Sequence, residues 1–352
     1  MVGESILVHT DCMRDCKLLL AAAIALIAAP LCPAAPQRPI AELKPLASFQ
    51  LGKTADWVAI TADAVWVAST GPFAVNRIDP ATDTKVAAVA LPGEACAGLA
   101  VGAGSLWVPL CTAQPSLAKI DLRNNTLTSI FRVGPPAEEG GIAYGAGSIW
   151  LIVDKLGSLA RIDPVDGAVL DTFHVPAGSY NPAFLAGTVW VTHADGAELT
   201  GIDAATGKIT ATVATGPKPR FLTVGAGAVW TLNQGDGSLT RVDGGRRADG
   251  SRPDDSPSRR TATIPLGTPG HGGDIAFANG KIWTSMPKVP LSLIDARHNR
   301  LQCQWVGPGG DALNIGHGSL WLTDYHAGTI QRLALKDALS HCLGSRQARP
   351  AQ

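Results

Sequence analysis

The 352-residue chain has little charge and no excess of either sign: 29 Lys+Arg balance 29 Asp+Glu, and charged residues make up 16% of the total. A nucleic-acid binder or a binder of anionic membranes would show a basic footprint, so no nucleic acid is expected as a partner. With 46% hydrophobic residues beside that low charge, extended disorder is excluded. Past residue 31 no apolar run approaches the roughly 18 residues of a spanning helix. Several catalytic signatures are missing too. There is no G-x-S-x-G elbow, no phosphate-binding P-loop, no G-x-G-x-x-G between strand and helix, and no C-x-x-C-H for covalent haem. What the chain does have is turn residues, Gly 39 and Pro 25, which suit many short strands better than long helices.

The N-terminus reads as a targeting segment. Leu18–Leu31 is a 14-residue apolar run, preceded by Arg14 and Lys17 and followed by Cys32-Pro33-Ala34. It is short and alanine-rich for a spanning helix, and small residues follow it, as in a secretory signal peptide. Residues 1–34 are therefore expected to be a signal peptide, with Met13 an alternative start; a retained membrane anchor is the other reading of the same run. An exported chain reaches the periplasm or the extracellular space, where disulfides persist. Cys96, Cys111, Cys303 and Cys342 remain after the signal. Cys96 and Cys111 flank a Gly-Ala-Gly turn almost symmetrically, so a regular hairpin sets them opposite each other. Cys303 and Cys342 form the second expected pair, if the tail folds back over its neighbour.

Self-similarity dominates the rest. Trp66, Trp107, Trp150, Trp190, Trp230, Trp283 and Trp321 recur at spacings of 41, 43, 40, 40, 53 and 38 residues. Each follows an aliphatic residue, and a glycine stands three places before all but the first, where Asp63 takes its position. An aliphatic-Asp pair follows about twelve residues later, as in Ile78-Asp79, Ile120-Asp121 and Ile294-Asp295. The glycine suits a tight turn with positive φ. The tryptophan fills space between sheets. The aspartate bonds the backbone of its own turn, so it is structural. Four strands per repeat, seven times over, predict an all-β, seven-bladed β-propeller of four antiparallel strands per blade. The strand-like segment Leu46–Gly52 precedes the first repeat, and the seventh repeat lacks a fourth strand. The N-terminal strand is expected to complete blade seven and close the ring, removing an open edge. The domain so defined spans 41–337, with a flexible polar insertion at 244–260 that holds five arginines and a tail at 338–352.

The segment VWVTHADGAELTGIDAATGKITATVATGPKP (Val189–Pro219) resembles the YVTN-type repeat of bacterial exported propellers. GAGSLWV, GAGSIWL and GHGSLWL, from Gly102, Gly145 and Gly316, resemble the repeats of streptogramin (virginiamycin B) lyases. The lyase resemblance implies elimination chemistry assisted by Mg²⁺, with a Glu-x-His in the last blade, a histidine one blade earlier, and a metal-side glutamate after the last tryptophan. The aligned positions here are Gly309-Gly310-Asp311, Gly273 with His271 nearby, and Tyr325, so the chain departs from that pattern.

Propeller function sits where loops converge over the channel. The residues ten before each repeat tryptophan are Asp56, Ala97, Gly140, Tyr180, Arg220, Gly273 and Asp311; those three after are Ser69, Leu110, Val153, His193, Asn233, Met286 and Asp324. Asp274, Tyr325 and His326 adjoin them. Blades four to one thus offer a polar arc of candidate ligand-binding residues, and blades two and three an apolar side. The first reading is an exported binding module that recognises a small molecule, peptide or protein at this mouth, as a monomer and without a cofactor. The second is a metal-assisted lyase or hydrolase, with His326 or His271 as base and a divalent ion among His193, His271, Asp324 and His326. The third is a protein-interaction scaffold, which predicts a plugged channel and an apolar rim.

Overall fold

The computed structural model describes residues 35–244 and 259–344. The expected signal segment, most of the insertion and the end of the tail lie outside them. Seven antiparallel sheets form the ring. Blade four shows the pattern: an inner strand Ser179–Leu185, then Thr188–His193, Glu198–Asp203 and an outer strand Ile209–Ala214. Consecutive inner strands touch all the way round, including blade seven to blade one. The closing strand is Pro45–Gln50, which pairs antiparallel with Thr329–Ala334 and sets Phe49 opposite Ile330.

One feature exceeds the expected four strands per blade. Gln37–Pro39 adds a parallel fifth strand outside blade six, with Arg38 opposite Trp305. Among the described residues Leu335–Leu343 is the single α-helix, and it packs against blades six and seven. Both expected disulfides are present. Cys96–Cys111 ties the hairpin of blade two, and Cys303–Cys342 ties the helix to blade six.

The seven repeat tryptophans are almost fully buried, so the repeat encodes the core. In blades two, three, five and seven the indole N–H donates to the carbonyl of the glycine five residues earlier, as from Trp107 to Gly102 at 3.0 Å. Opposite the tryptophan, the third strand of five blades carries Arg77, Lys119, Arg161, Arg241 or Arg332, each 5.2–6.0 Å from the ring. Burial of the indole face beneath a cation adds to the area it removes from water. Gly102, Gly145 and Gly225 let the next blade approach: a Cβ there would meet the ring of Tyr144, Phe184 or Phe277 at 2.0–2.1 Å. The two tryptophans outside the repeat have separate roles. Trp305 stacks on Trp283 at 6.3 Å in the outer strand of blade six. Trp57 enters the channel.

Candidate functional site

The inner strands all begin at one end of the ring, and the second strands end there. Trp57 stands at a bulge between Asp56 and Val58, with φ of 51°. Its ring reaches across the axis from blade one to Phe221 of blade five, with centroids 6.2 Å apart and planes tilted 54°. Both are buried. This pair plugs the channel just inside the mouth. Further along, residues of all seven blades, Asp274 among them, line a central cavity of about 220 Å³.

Above the plug, carboxylates converge. A cavity of about 40 Å³ is lined by Asp56, Glu94, Glu138, Glu139, Tyr325, Ser69 and the plug residue Trp57, and no lysine, arginine or histidine lines it. The charges of Asp311 on blade seven and of Asp274 on blade six, which lines the central cavity beyond the plug, act on Asp56. Burial pushes the Asp56 carboxyl well above the usual range, helped by the charge of Asp311 and opposed by the Trp57 N–H. Burial raises Asp274 to about 7 against the N–H bonds it accepts from Ile275 and Leu313. Burial also raises Asp311, Glu139 and Glu94; Arg220 opposes the shift at Glu139, and Glu138 adds to that at Glu94. The Tyr325 hydroxyl is pushed up by burial and by the same carboxylates. Desolvation and like charges act together here, and both disfavour the ionised form.

The sequence-derived residues divide. Asp56 and Tyr325 line this cavity; Asp311 adds its charge to theirs from blade seven, and Asp274 lines the central cavity beyond the plug. Arg220 stacks on Tyr180 at 3.8 Å and donates to the Glu138 carbonyl at 3.3 Å, so it links blades three, four and five. His271 and His326 are exposed; His326 meets the edge of the Tyr325 ring at 5.3 Å. Asp324 caps its own turn at Ala327 N–H, 3.0 Å away. His193 faces its own hairpin, near Gly196 and 3.9 Å from Glu198. Asn233 is fully buried in blade five, where Ser238 and Thr240 receive its amide and Thr231 donates to it, leaving it nothing for a ligand. Among the described residues, no three His, Cys, Asp or Glu side chains are grouped to hold a metal ion. The histidine-aspartate quartet does not assemble.

The expected apolar side is corrected. Blades two and three present Glu94, Glu138 and Glu139 to the mouth, because the links before their inner strands, not the strands themselves, form that wall. The disulfide holds the link: Cys111 N–H donates to the Glu94 carbonyl, and Glu139 N–H to that of Cys96, at 3.2 and 2.9 Å. The run Glu138-Glu139-Gly140-Gly141 carried the signal, one place ahead of the position counted back from the tryptophan.

No protein-family model matches the chain, and no curated protein matches it. Among solved structures it is similar to BamB from Moraxella catarrhalis, with a TM-score of 0.56 and 14% identity, over 84% of this chain and 98% of that one. At that identity the likeness is one of fold.

Proposed function

We propose that the protein is an exported binding propeller whose plugged, acidic mouth recognises a cationic group, an amine or guanidinium, on a small molecule, peptide or protein. One observation carries this reading: four carboxylates and two aromatic rings line a cavity that no basic side chain lines. Positive charge is attracted to carboxylates grouped around one cavity and to ring faces. Export is supported by the apolar N-terminal run and the two disulfides, which suit an oxidising compartment. The resemblance of the repeats to YVTN-type and streptogramin-lyase propellers supports a bacterial exported propeller. No histidine stands in the cavity to act as the base that the lyase reading requires.

The test is calorimetric titration at about pH 8 with tri-lysine, tri-arginine and tri-glutamate. The cationic peptides are expected to bind, more weakly as salt rises, because exposed charge is screened. Binding of tri-glutamate, or of none, overturns the reading.

A scaffold role has two observations in its favour, the Trp57–Phe221 plug and an apolar rim. The outer strands of blades two to four expose Ile130, Val169, Leu170 and Ile209. Charge substitutions there would abolish capture of a partner while leaving tri-lysine binding intact.

A further inference from the structure

We propose that the protein holds a second binding site, apart from the acidic cup, which takes a free amino acid with an apolar side chain in the seam between blades six and seven. The proposal does not depend on the reading of the mouth given above.

The site is a cavity of about 270 Å³, larger than the cup or the central cavity. It forms where the chain crosses the seam. The fifth strand of blade six ends at Pro39, the closing strand of blade seven starts at Pro45, and residues 40–44 bridge them. The bridge begins as a 3₁₀ turn, in which Leu43 N–H donates to the Ile40 carbonyl at 3.0 Å. Ile40 rests on the link between the two blades, since a Cβ on Gly307 would meet it at 2.8 Å. The same link then runs between Pro290 of blade six and Asp324 of blade seven. A Cβ on Gly309 would meet Asp324 Oδ2 at 2.9 Å, and one on Gly310 would meet Pro290. With φ of 81° and 84°, these two positions suit glycine and keep the space open.

The walls are of two kinds. Ile40, Leu43, Pro290 and Leu322 form an apolar side, and the last three are buried, so that surface is fixed. Three polar side chains also line the cavity, and each has bonding capacity that the fold leaves unused. Among the described residues, neither Lys44 nor Gln331 has a hydrogen-bond or ion-pair partner. Asp324 commits Oδ1 to the Ala327 N–H at 3.0 Å, while Oδ2 faces the Gly309 link. Gln331 stands opposite Leu322 in the ladder, so the two share one face of blade seven. Lys44 belongs to the bridge and Asp324 to the second strand of blade seven, and no ion pair joins them.

Ligand pockets combine an apolar lining with a few placed polar groups, in volumes of roughly 300–1,000 Å³. This cavity lies just below that range, so its ligand is small. A cation, an amide and a carboxylate oxygen beside an apolar wall match a zwitterion. The α-carboxylate would take Lys44 and Gln331, the α-ammonium Asp324, and a leucine- or phenylalanine-like side chain the wall of Pro290 and Leu322. A simple anion would be opposed by Asp324 and a simple cation by Lys44, so the pair of charges selects against both.

Calorimetric titration of the full chain at about pH 7, where an α-amine is charged, tests the site with l-phenylalanine and l-leucine. Both should bind, with or without saturating tri-lysine. N-acetyl-phenylalanine and phenylalanine amide each lack one charge and should bind at least about tenfold more weakly. Lys44→Ala should weaken phenylalanine about tenfold and leave the amide unchanged. Asp324→Asn, which keeps an acceptor for Ala327, should weaken phenylalanine by a similar factor and leave the N-acetyl form unchanged. Should either variant fail to fold, the three phenylalanine forms on wild type decide the matter. No binding of either amino acid at about 10 mM, or equal binding of the three forms, would overturn the proposal. So would an affinity indifferent to both substitutions, or displacement of phenylalanine by tri-lysine, which would put the amino acid in the cup.

Discussion

Aspartates stand at both ends of the blades, and the two sets are in opposite condition. At the far end, the aspartates of the repeat cap turns between third and outer strands. Asp121 accepts from Arg123 and Asn124, and Asp295 from Arg297, His298 and Lys281. The Lys281 ammonium and these N–H donors outweigh burial and hold Asp295 at about 2. At the mouth, Asp56, Asp274 and Asp311 are half-buried, accept one or two N–H bonds each, and stand near other acids rather than near a lysine. Their carboxyls are raised instead. The same side chain thus serves as a turn staple where donors surround it and holds its proton more firmly where acids do.

Ways to break this contrast differ in size. The largest effect should come from removing the Cys96–Cys111 bridge by a double serine substitution. The bonded cysteines are 15 residues apart, so loss should cost about 3 kcal/mol and also loosen the Glu94 wall. Denaturant unfolding reads the first consequence and tri-lysine affinity the second. Asp295→Ala should cost about 1–3 kcal/mol at neutral pH, since Lys281 and two backbone donors lose their acceptor. Its folded value lies below the unfolded one, so this contribution is present above about pH 4 and disappears towards pH 2. A difference that persists undiminished at pH 2 would contradict the assignment. Asn233→Ala should cost a similar 1–3 kcal/mol by leaving Ser238 and Thr240 without their donor, while leaving tri-lysine affinity untouched. Lost affinity would return Asn233 to the mouth. The smallest change, and the one of opposite sign, is a higher melting temperature of Asp56→Asn than of wild type at pH 8, because burial and neighbouring acids disfavour the ionised Asp56, read by thermal unfolding.

The fold was legible because its repeat is driven by burial. Trp107, Trp150 and Trp230 recur with their glycines since every blade must fill the same gap in the same way, and a periodic need writes a periodic sequence. The closing strand at Phe49 followed from counting strands and Cys96–Cys111 from hairpin symmetry, while Cys303–Cys342 was the pair that remained and depended on the tail folding back. The mouth was half legible. Asp56 and Asp311 occupy counted positions, but Glu94, Glu138 and Glu139 lie in links of irregular length, where a count from the tryptophan loses register. Asn233 and His193 share a sequence position on adjacent repeats, yet one turns into its blade and the other over its own hairpin. That choice depends on whether Ser238 or Glu198 stands opposite on the next strand and on the room that Gly196 leaves in the turn, and no spacing rule contains it. The bulge that swings Trp57 into the axis is likewise a backbone event, visible only once the inner strands are placed. The fifth strand at Gln37–Pro39 is too short to show a period.

The central claim is that a cation docks above Trp57, and the indole N–H spectrum tests it directly. The chain has nine tryptophans, and Trp57→Phe assigns the one that matters. On titration with tri-lysine at about pH 8, the Trp57 signal should move progressively while those of Trp230 and Trp305, buried within blades five and six, stay in place. Movement of Trp305 with a stationary Trp57 would place the ligand elsewhere and contradict the account.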